Sequence, residues 1–566
     1  MRETFKSIVW LCLLAGICGC SSMRAIGLET VNWRDESAPD PKAQAIARYI
    51  EAVVLAGQGK EDKSIEALSK IPDLDPAAVT PTVQLIQVYL KQENYEAALS
   101  MCEKAVAQQP EQANLYVVLG EIYHRFKRYD EAMTALQTAI KLEPDSALGY
   151  GMLVELQQSR NDLTAAIDIY ERLIELEPEK AELRYALALV LIRIDDKEGA
   201  IEALRKTLEL DGRNMRAQYL LGVLYLETNQ SEDCIAQLRA YMDGRPSDMD
   251  AADNLAGAQA RLGRFEQAIG LYQRILSSNQ AQPQHHIASM YLHLRAKRFG
   301  EVAKLSPPQG APYFDMVFRA LADEESGASP QLLVKALDST EGDFDAECGT
   351  FLNNILYLFG QEDAGTWLFE ATGRLAEKHP DSRILQLLRA RILMNMERHA
   401  DALPILDAVL AKFTPDQWVH YYLAICHEEL GHFEDTERHL VAYMQFIPDD
   451  PDILNFLAYL YAENGVKLDE AAALLDKAMA ADPENPYYMD SMGWVYYKQG
   501  RGEEAVDLIQ KAIYGMETDD AVLRDHLGDA YLLKGDVTRA RKEWQRALRL
   551  DPDMPGLQQK LDQHKP

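Results

Sequence analysis

The chain has 566 residues, 47% of them hydrophobic and 26% charged, so it can bury a long core and has the composition of neither a disordered nor a low-complexity protein. Its 58 basic residues against 89 acidic ones give a formal net charge of -31 at pH 7. That charge opposes binding to phosphate backbones or anionic headgroups, and no dense Lys/Arg run offsets it, so nucleic acid is not an expected partner.

At the N-terminus, Arg2 and Lys6 precede the ten apolar residues Ile8 to Ile17. At about 1.5 Å per residue these cover roughly half of a bilayer core of about 30 Å, which fits a signal segment rather than a membrane span. The segment ends in Ile17, Cys18, Gly19 and Cys20. This resembles the bacterial lipobox, with Cys18 where Ala or Ser is usual. The resemblance implies a signal peptide over 1–19 and lipid on Cys20 as the first mature residue. Ser21 follows, not the aspartate that retains such lipoproteins in the inner membrane, so the implied address is the outer membrane, facing the periplasm. Residues 20–40 lack helical periodicity and read as a lipidated tether; as a coil it spans about 25 Å.

From residue 41 a 34-residue ruler governs the sequence. Ala98, Ala132, Ala166, Ala200 and Ala268 stand in one register, with Cys234 in the remaining slot, and Pro76, Pro110, Pro144, Pro178 and Pro246 stand in another, with Gly212 in its gap. Proline cannot continue a helix and glycine readily ends one, so each unit reads as a helical hairpin closed at a fixed point. A unit this short cannot bury its apolar face alone, so neighbours must stack. Seven units start at 45, 79, 113, 147, 181, 215 and 249, giving an N-terminal array over 41–282. Over 283–382 the register dissolves: FLNNILYLFG and WLFEATGRLAEKHP keep helical spacing, but SPPQGAP and EESGASP interrupt. Degenerate repeats forming a joint, or a separate small domain, both fit that stretch.

A second array covers 383–566. Its clearest units carry Gly493, Tyr496, Ala505 and Ala512, then Gly528, Tyr531, Ala540, Ala547 and Pro552, and one unit has an extra residue near NGVKLDEA. The unit NLYVVLGEIYHRFKRYDEAMTALQTAIKLEP, with Tyr116, Leu119, Gly120, Tyr123, Ala132, Leu136, Ala139 and Pro144, is similar to the tetratricopeptide repeat. The resemblance implies an all-α superhelical solenoid of about 12 recognisable repeats plus the degenerate middle segment. It also implies a protein-binding role, with the first helix of each hairpin lining the concave face.

In the first helix from Tyr487 to Lys498, the packing seam takes Met489, Met492, Gly493 and Tyr496. Opposite lie Tyr487, Asp490, Trp494 and Tyr497, with Lys498 adjoining, and neighbouring hairpins add Trp418, Tyr421, Tyr459, Asp525 and Asp529. These residues form a candidate groove for a peptide or partner helix, aromatic with acidic edges; packing of the same rings against adjacent helices is the alternative. The Lys/Arg/Asn cluster with which TPR domains clamp a terminal carboxylate is missing.

Chemistry-bearing motifs are few. HEELGH is similar to a zinc-protease helix, but His427 and His432 are five apart and on one helix would diverge, where the metal motif needs four. His285 and His286 also diverge, and a pairing with His293 stays open. There is no Walker-type loop and no G-x-S-x-G elbow, so no metal, cofactor or catalytic residue is expected. Cys102, Cys234, Cys348 and Cys426 lie one to a repeat and read as buried single thiols.

The C-terminal run from LDEAAALLDKAMAADPENPYYMDSMGWVYYKQG to HLGDAYLLKGDVTRARKEWQRAL, together with the lipobox, resembles outer-membrane TPR lipoproteins of Gram-negative bacteria. Some of these are adaptors that deliver substrates such as peptidoglycan hydrolases to a periplasmic carboxyl-terminal processing protease. The implied function is a lipid-anchored, periplasm-facing scaffold or adaptor for protein partners. A scaffold for exopolysaccharide export or pilus assembly, and an enzyme with a site inside 283–382, are the alternatives. Oligomeric state is not legible.

Overall fold

The computed structural model describes residues 40–565 apart from 77, 280, 309, 341, 342, 415 and 517. The signal segment, Cys20 and all but the last residue of the tether therefore lie outside the described residues. All regular structure among the described residues is helical. The chain divides into two compact units, residues 1–156 and 157–566.

In the first unit, Pro41–Gly57 pairs with Glu61–Ser69, Val79–Lys91 with Tyr95–Gln108, and Ala113–Arg125 with Tyr129–Leu142. Side-chain caps begin several of these helices; Asn94 accepts the Ala97 N–H at 3.3 Å. The small residues of the 34-residue register are all fully buried: Ala98 and Ala132 here, and Ala166, Ala200, Cys234 and Ala268 in the second unit. They sit where two helices of a hairpin approach.

The hairpin turns carry a second register that composition hides. Gly59, Glu93, Lys127, Asn161, Asp195, Asn229, Gly263 and Lys297 all have positive φ, and each stands 34 residues after the last. The three-residue turn between paired helices requires the left-handed conformation at its middle residue, and six of the eight turns impose it on a residue other than glycine. The register resumes at Glu397, Gly431 and Gly465, then lengthens to 35 at Gly500 and Gly535. The extra residue in NGVKLDEA is absorbed by a second left-handed position, Lys467.

Within the second unit one core cluster runs from Ala188 to Ile392, through the segment where the repeat register is lost. Pro312–Ser326 and Gln331–Leu337 form a hairpin, while Phe344–Glu347 passes through a π-helical turn, Cys348–Leu352, into Asn353–Phe359. Arg261 ties this insert to the regular array, donating from Nε to the Leu358 carbonyl at 3.0 Å and from Nη1 to that of Leu226 at 2.5 Å. The four cysteines among the described residues are buried and unpaired, and burial pushes the thiols of Cys102, Cys234 and Cys426 up to about 12.

The second unit also meets itself. The Asn161 amide donates to the carbonyls of Ile513 at 3.0 Å and Thr518 at 3.1 Å, and the Asn161 carbonyl accepts from Arg524 at 2.7 Å. Arg546 bonds the buried Asp162 and, at 2.7 Å, Glu543; Arg524 bonds Glu543 at 3.0 Å and Asp519 at 2.7 Å. The last repeat is thereby clasped to the turn before Leu163–Leu176, and the array of residues 157–566 is closed by a buried ionic network.

Candidate functional site

Consecutive first helices of the C-terminal array, Gln417–Glu429, Pro451–Glu463, Pro486–Lys498 and Ala521–Leu533, carry the sequence-predicted residues. Asp450, Asn485 and Asp520 cap the last three by accepting main-chain N–H groups, which fixes where each face begins. From there, side chains link Pro451–Glu463 to Pro486–Lys498, and that helix to Ala521–Leu533. Tyr488 donates to Asp452 at 2.5 Å, the Trp494 indole donates to Glu463, and His526 pairs with Asp490 at 3.1 Å.

Trp494 is only 6% exposed. Its ring stacks on His526 at 3.9 Å between centroids and on Tyr497 at 4.6 Å, with the Lys498 ammonium 4.6 Å from its centroid. Tyr459 extends the cluster to a third helix, 6.3 Å from His526. Burial works against a charged His526, but the Asp490 carboxylate, together with those of Glu463 and Asp525, more than offsets it and the His526 pKa is raised above 6.5. The fused aromatic face is thus wired to one buried ion pair.

The remaining candidates fall into three settings. Trp418 and Tyr421 are half-buried and 6.2 Å apart, at the other end of the array's first-helix row. Tyr487 is 59% exposed, whereas Asp490 and Asp529 are buried. Asp525 and Asp529 face Lys560 of the final helix Leu557–Gln563, at 2.6 and 2.9 Å, and Asp529 also accepts from the buried Trp544. The carboxylates of the expected acidic edge are therefore both engaged from within, by one ammonium. What the face presents outward is Tyr487 and the half-buried rings of Tyr459 and Tyr497, with Lys498 beside them.

One geometric expectation is overturned. His427 and His432 do not diverge, because they do not share a helix: Gln417–Glu429 ends before Gly431, whose φ of 73° turns the chain back. Their Nδ1 atoms stand 3.1 Å apart. His285, by contrast, is spent on local structure, its Nδ1 accepting the Gln282 N–H at the start of Pro283–Arg295. Among the described residues, no helix is long and apolar enough to cross a membrane.

The 34-residue hairpins define the class. Tetratricopeptide repeat families match residues 89–156 and 393–460 in one form and 219–286, 467–521 and 491–555 in another, and the family of anaphase-promoting complex, cyclosome, subunit 3 matches 159–241. The chain is a TPR protein with a solenoid fold. Over 164 residues it is 29% identical to the TPR repeat-containing protein PA4667 of Pseudomonas aeruginosa, a stretch covering 28% of this chain and 28% of that one. Among solved structures it is similar to the Cut9–Hcn1 hetero-tetramer of the APC/C, at 15% identity over 85% of this chain and 95% of that one, with a TM-score of 0.34. Naa15/Naa10 bound to HypK-THB gives 13% identity, coverage of 92% and 96%, and a TM-score of 0.36. YrrB, a TPR protein with an unusual peptide-binding site, gives 23% identity, coverage of 31% and 91%, and a TM-score of 0.27.

Proposed function

We propose that the chain is a membrane-anchored, periplasm-facing scaffold that binds protein partners on the first-helix face of residues 417–533 and delivers substrates to a periplasmic carboxyl-terminal processing protease. The binding part is carried by one observation: Tyr459, Trp494 and Tyr497 form a continuous aromatic face across consecutive repeats, held rigid by His526 and Asp490, with the exposed Tyr487 on the same helix. Rigid aromatic surface of this kind supplies contact area at low entropic cost, and such residues dominate interface energetics. The anchor and the delivery role are supported by the lipobox resemblance at Cys20 and by the likeness of the C-terminal repeats to outer-membrane TPR lipoproteins.

The test is reconstitution. The purified chain, added to a periplasmic processing protease and a peptidoglycan hydrolase, accelerates cleavage of the hydrolase and cleaves nothing alone. Replacing Tyr487 and Tyr497 with alanine weakens capture by at least about tenfold, because truncated interface aromatics each cost about 2 kcal/mol and a decade in affinity is about 1.4 kcal/mol. Cleavage unaffected by the parent chain removes the delivery role, and co-capture of export or pilus components instead favours the assembly scaffold.

A further inference from the structure

The turn that brings His427 and His432 together also places a carboxylate beside them. The His432 N–H donates to the His427 carbonyl at 2.8 Å, so the last turn of one helix and the N-cap of Phe433–Tyr443 are pinned, and Asp435 follows in the first turn of that second helix. Asp435 Oδ2 lies 4.0 Å from His427 Nδ1, and one ligand atom from each of the three residues lies within 4.8 Å of the others. We propose that His427, His432 and Asp435 form a binding site for one divalent transition-metal ion of the zinc class, at the turn of the hairpin 417–443.

The spacing is that of a hydrogen bond between the two rings and lies close to that of two ligands on one ion. Two nitrogens bound to one tetrahedral ion at about 2.05 Å stand about 3.3 Å apart, and the two Nδ1 atoms need move only a few tenths of an ångström from 3.1 Å to reach it. Without an ion, one ring donates its Nδ1–H to the other across that gap; on binding, the donor ring carries its proton on Nε2 and both Nδ1 lone pairs face the ion. Two imidazoles and one carboxylate suit zinc, nickel or copper better than calcium or magnesium, and three protein ligands leave a position open to water.

The surroundings are those of a supported site. Arg438 holds the other oxygen of Asp435, Oδ1, at 2.5 Å, fixing the carboxylate with Oδ2 toward the histidines. His439 stacks on His427, with rings 5° from parallel, and itself faces His420 at 3.0 Å, so one side of the His427 ring is lined by a held neighbour. His432 is exposed, which gives an ion a route in. Arg438 acts here as a positioning residue.

Tag-free, chelator-treated full-length chain titrated with Zn2+ alone against a chromophoric indicator should bind one ion per chain. His432→Ala should weaken that binding by about 30-fold or more, and Asp435→Asn by about tenfold. Because His432 is exposed, the variant keeps its helical circular dichroism, and loss of binding then reports the ligand and not the fold. Cu2+ loaded at one equivalent gives an electron paramagnetic resonance spectrum with two nitrogen ligands, reduced to one in His432→Ala. Absence of stoichiometric Zn2+ binding, or binding undiminished in a folded His432→Ala chain, overturns the proposal.

Discussion

The ionic clasp that closes residues 157–566 gives a prediction with a definite size. Arg546 serves two buried carboxylates, Asp162 and Glu543, whose side chains are 7% and 8% exposed. Arg546→Ala leaves both without that partner, and stripping one member from a buried ionic network costs about 3–5 kcal/mol. A solenoid need not unfold to escape that cost, because its repeats touch only their neighbours and the clasp is an added contact. At about 1.4 kcal/mol per decade the closed-to-open ratio falls by about two to three and a half decades, and the array is expected to open with its hairpins intact. Hydrogen exchange should rise over 157–168 and 513–549 and the radius of gyration should grow, while far-UV circular dichroism stays at the parent value. Asp162→Asn keeps the helix cap that Asp162 provides to Ala165, and combined with Arg546→Met should recover part of the loss. An Arg546→Ala chain with unchanged exchange and scattering would refute the clasp.

Three further expectations can be checked singly. A Cβ on Gly528 would overlap the ring of the fully buried Trp544, so Gly528→Ala should cost about 1–3 kcal/mol in denaturant melts and raise exchange within 502–563. The raised His526 pKa means its pairing with Asp490 stabilises fully below 6.5 and is lost as pH rises through the higher folded value; exchange in Pro486–Lys498 and Ala521–Leu533 should increase over that window in the parent and not in His526→Gln. Metabolic fatty-acid labelling should mark the parent and disappear in Cys20→Ala; label retained in the variant, or absent from the parent, sinks the lipoprotein reading.

The hairpin array was legible because packing imposes a residue type: helices that approach closely leave room only for Ala98, Ala132 or Cys234 and their counterparts. The turns were not, since a left-handed residue need not be glycine, and Glu93, Lys127 and Asp195 look like ordinary surface charges in a sequence. The clasp was out of reach for a different reason. Asp162 and Arg546 stand 384 residues apart, and nothing local about either marks a partner. Within the candidate face, periodicity places Trp494 on its helix, but the ring that covers it, His526, is supplied by the next repeat. Asp525 and Asp529 look like an acidic edge in the sequence because Lys560 belongs to the final short helix, beyond the last repeat. The histidine pair is hidden when 427–432 is taken as one continuous helix, although Gly431 between the two residues is an ordinary stop signal.

Site-specific photo-crosslinking in intact cells tests most directly whether the first-helix face of the C-terminal array binds protein. A crosslinker replacing Tyr487, 59% exposed on that face, is predicted to trap a discrete protein adduct, while one replacing Leu332, 82% exposed in the middle segment, traps none. No adduct at 487, or the same adduct at both positions, would contradict the account.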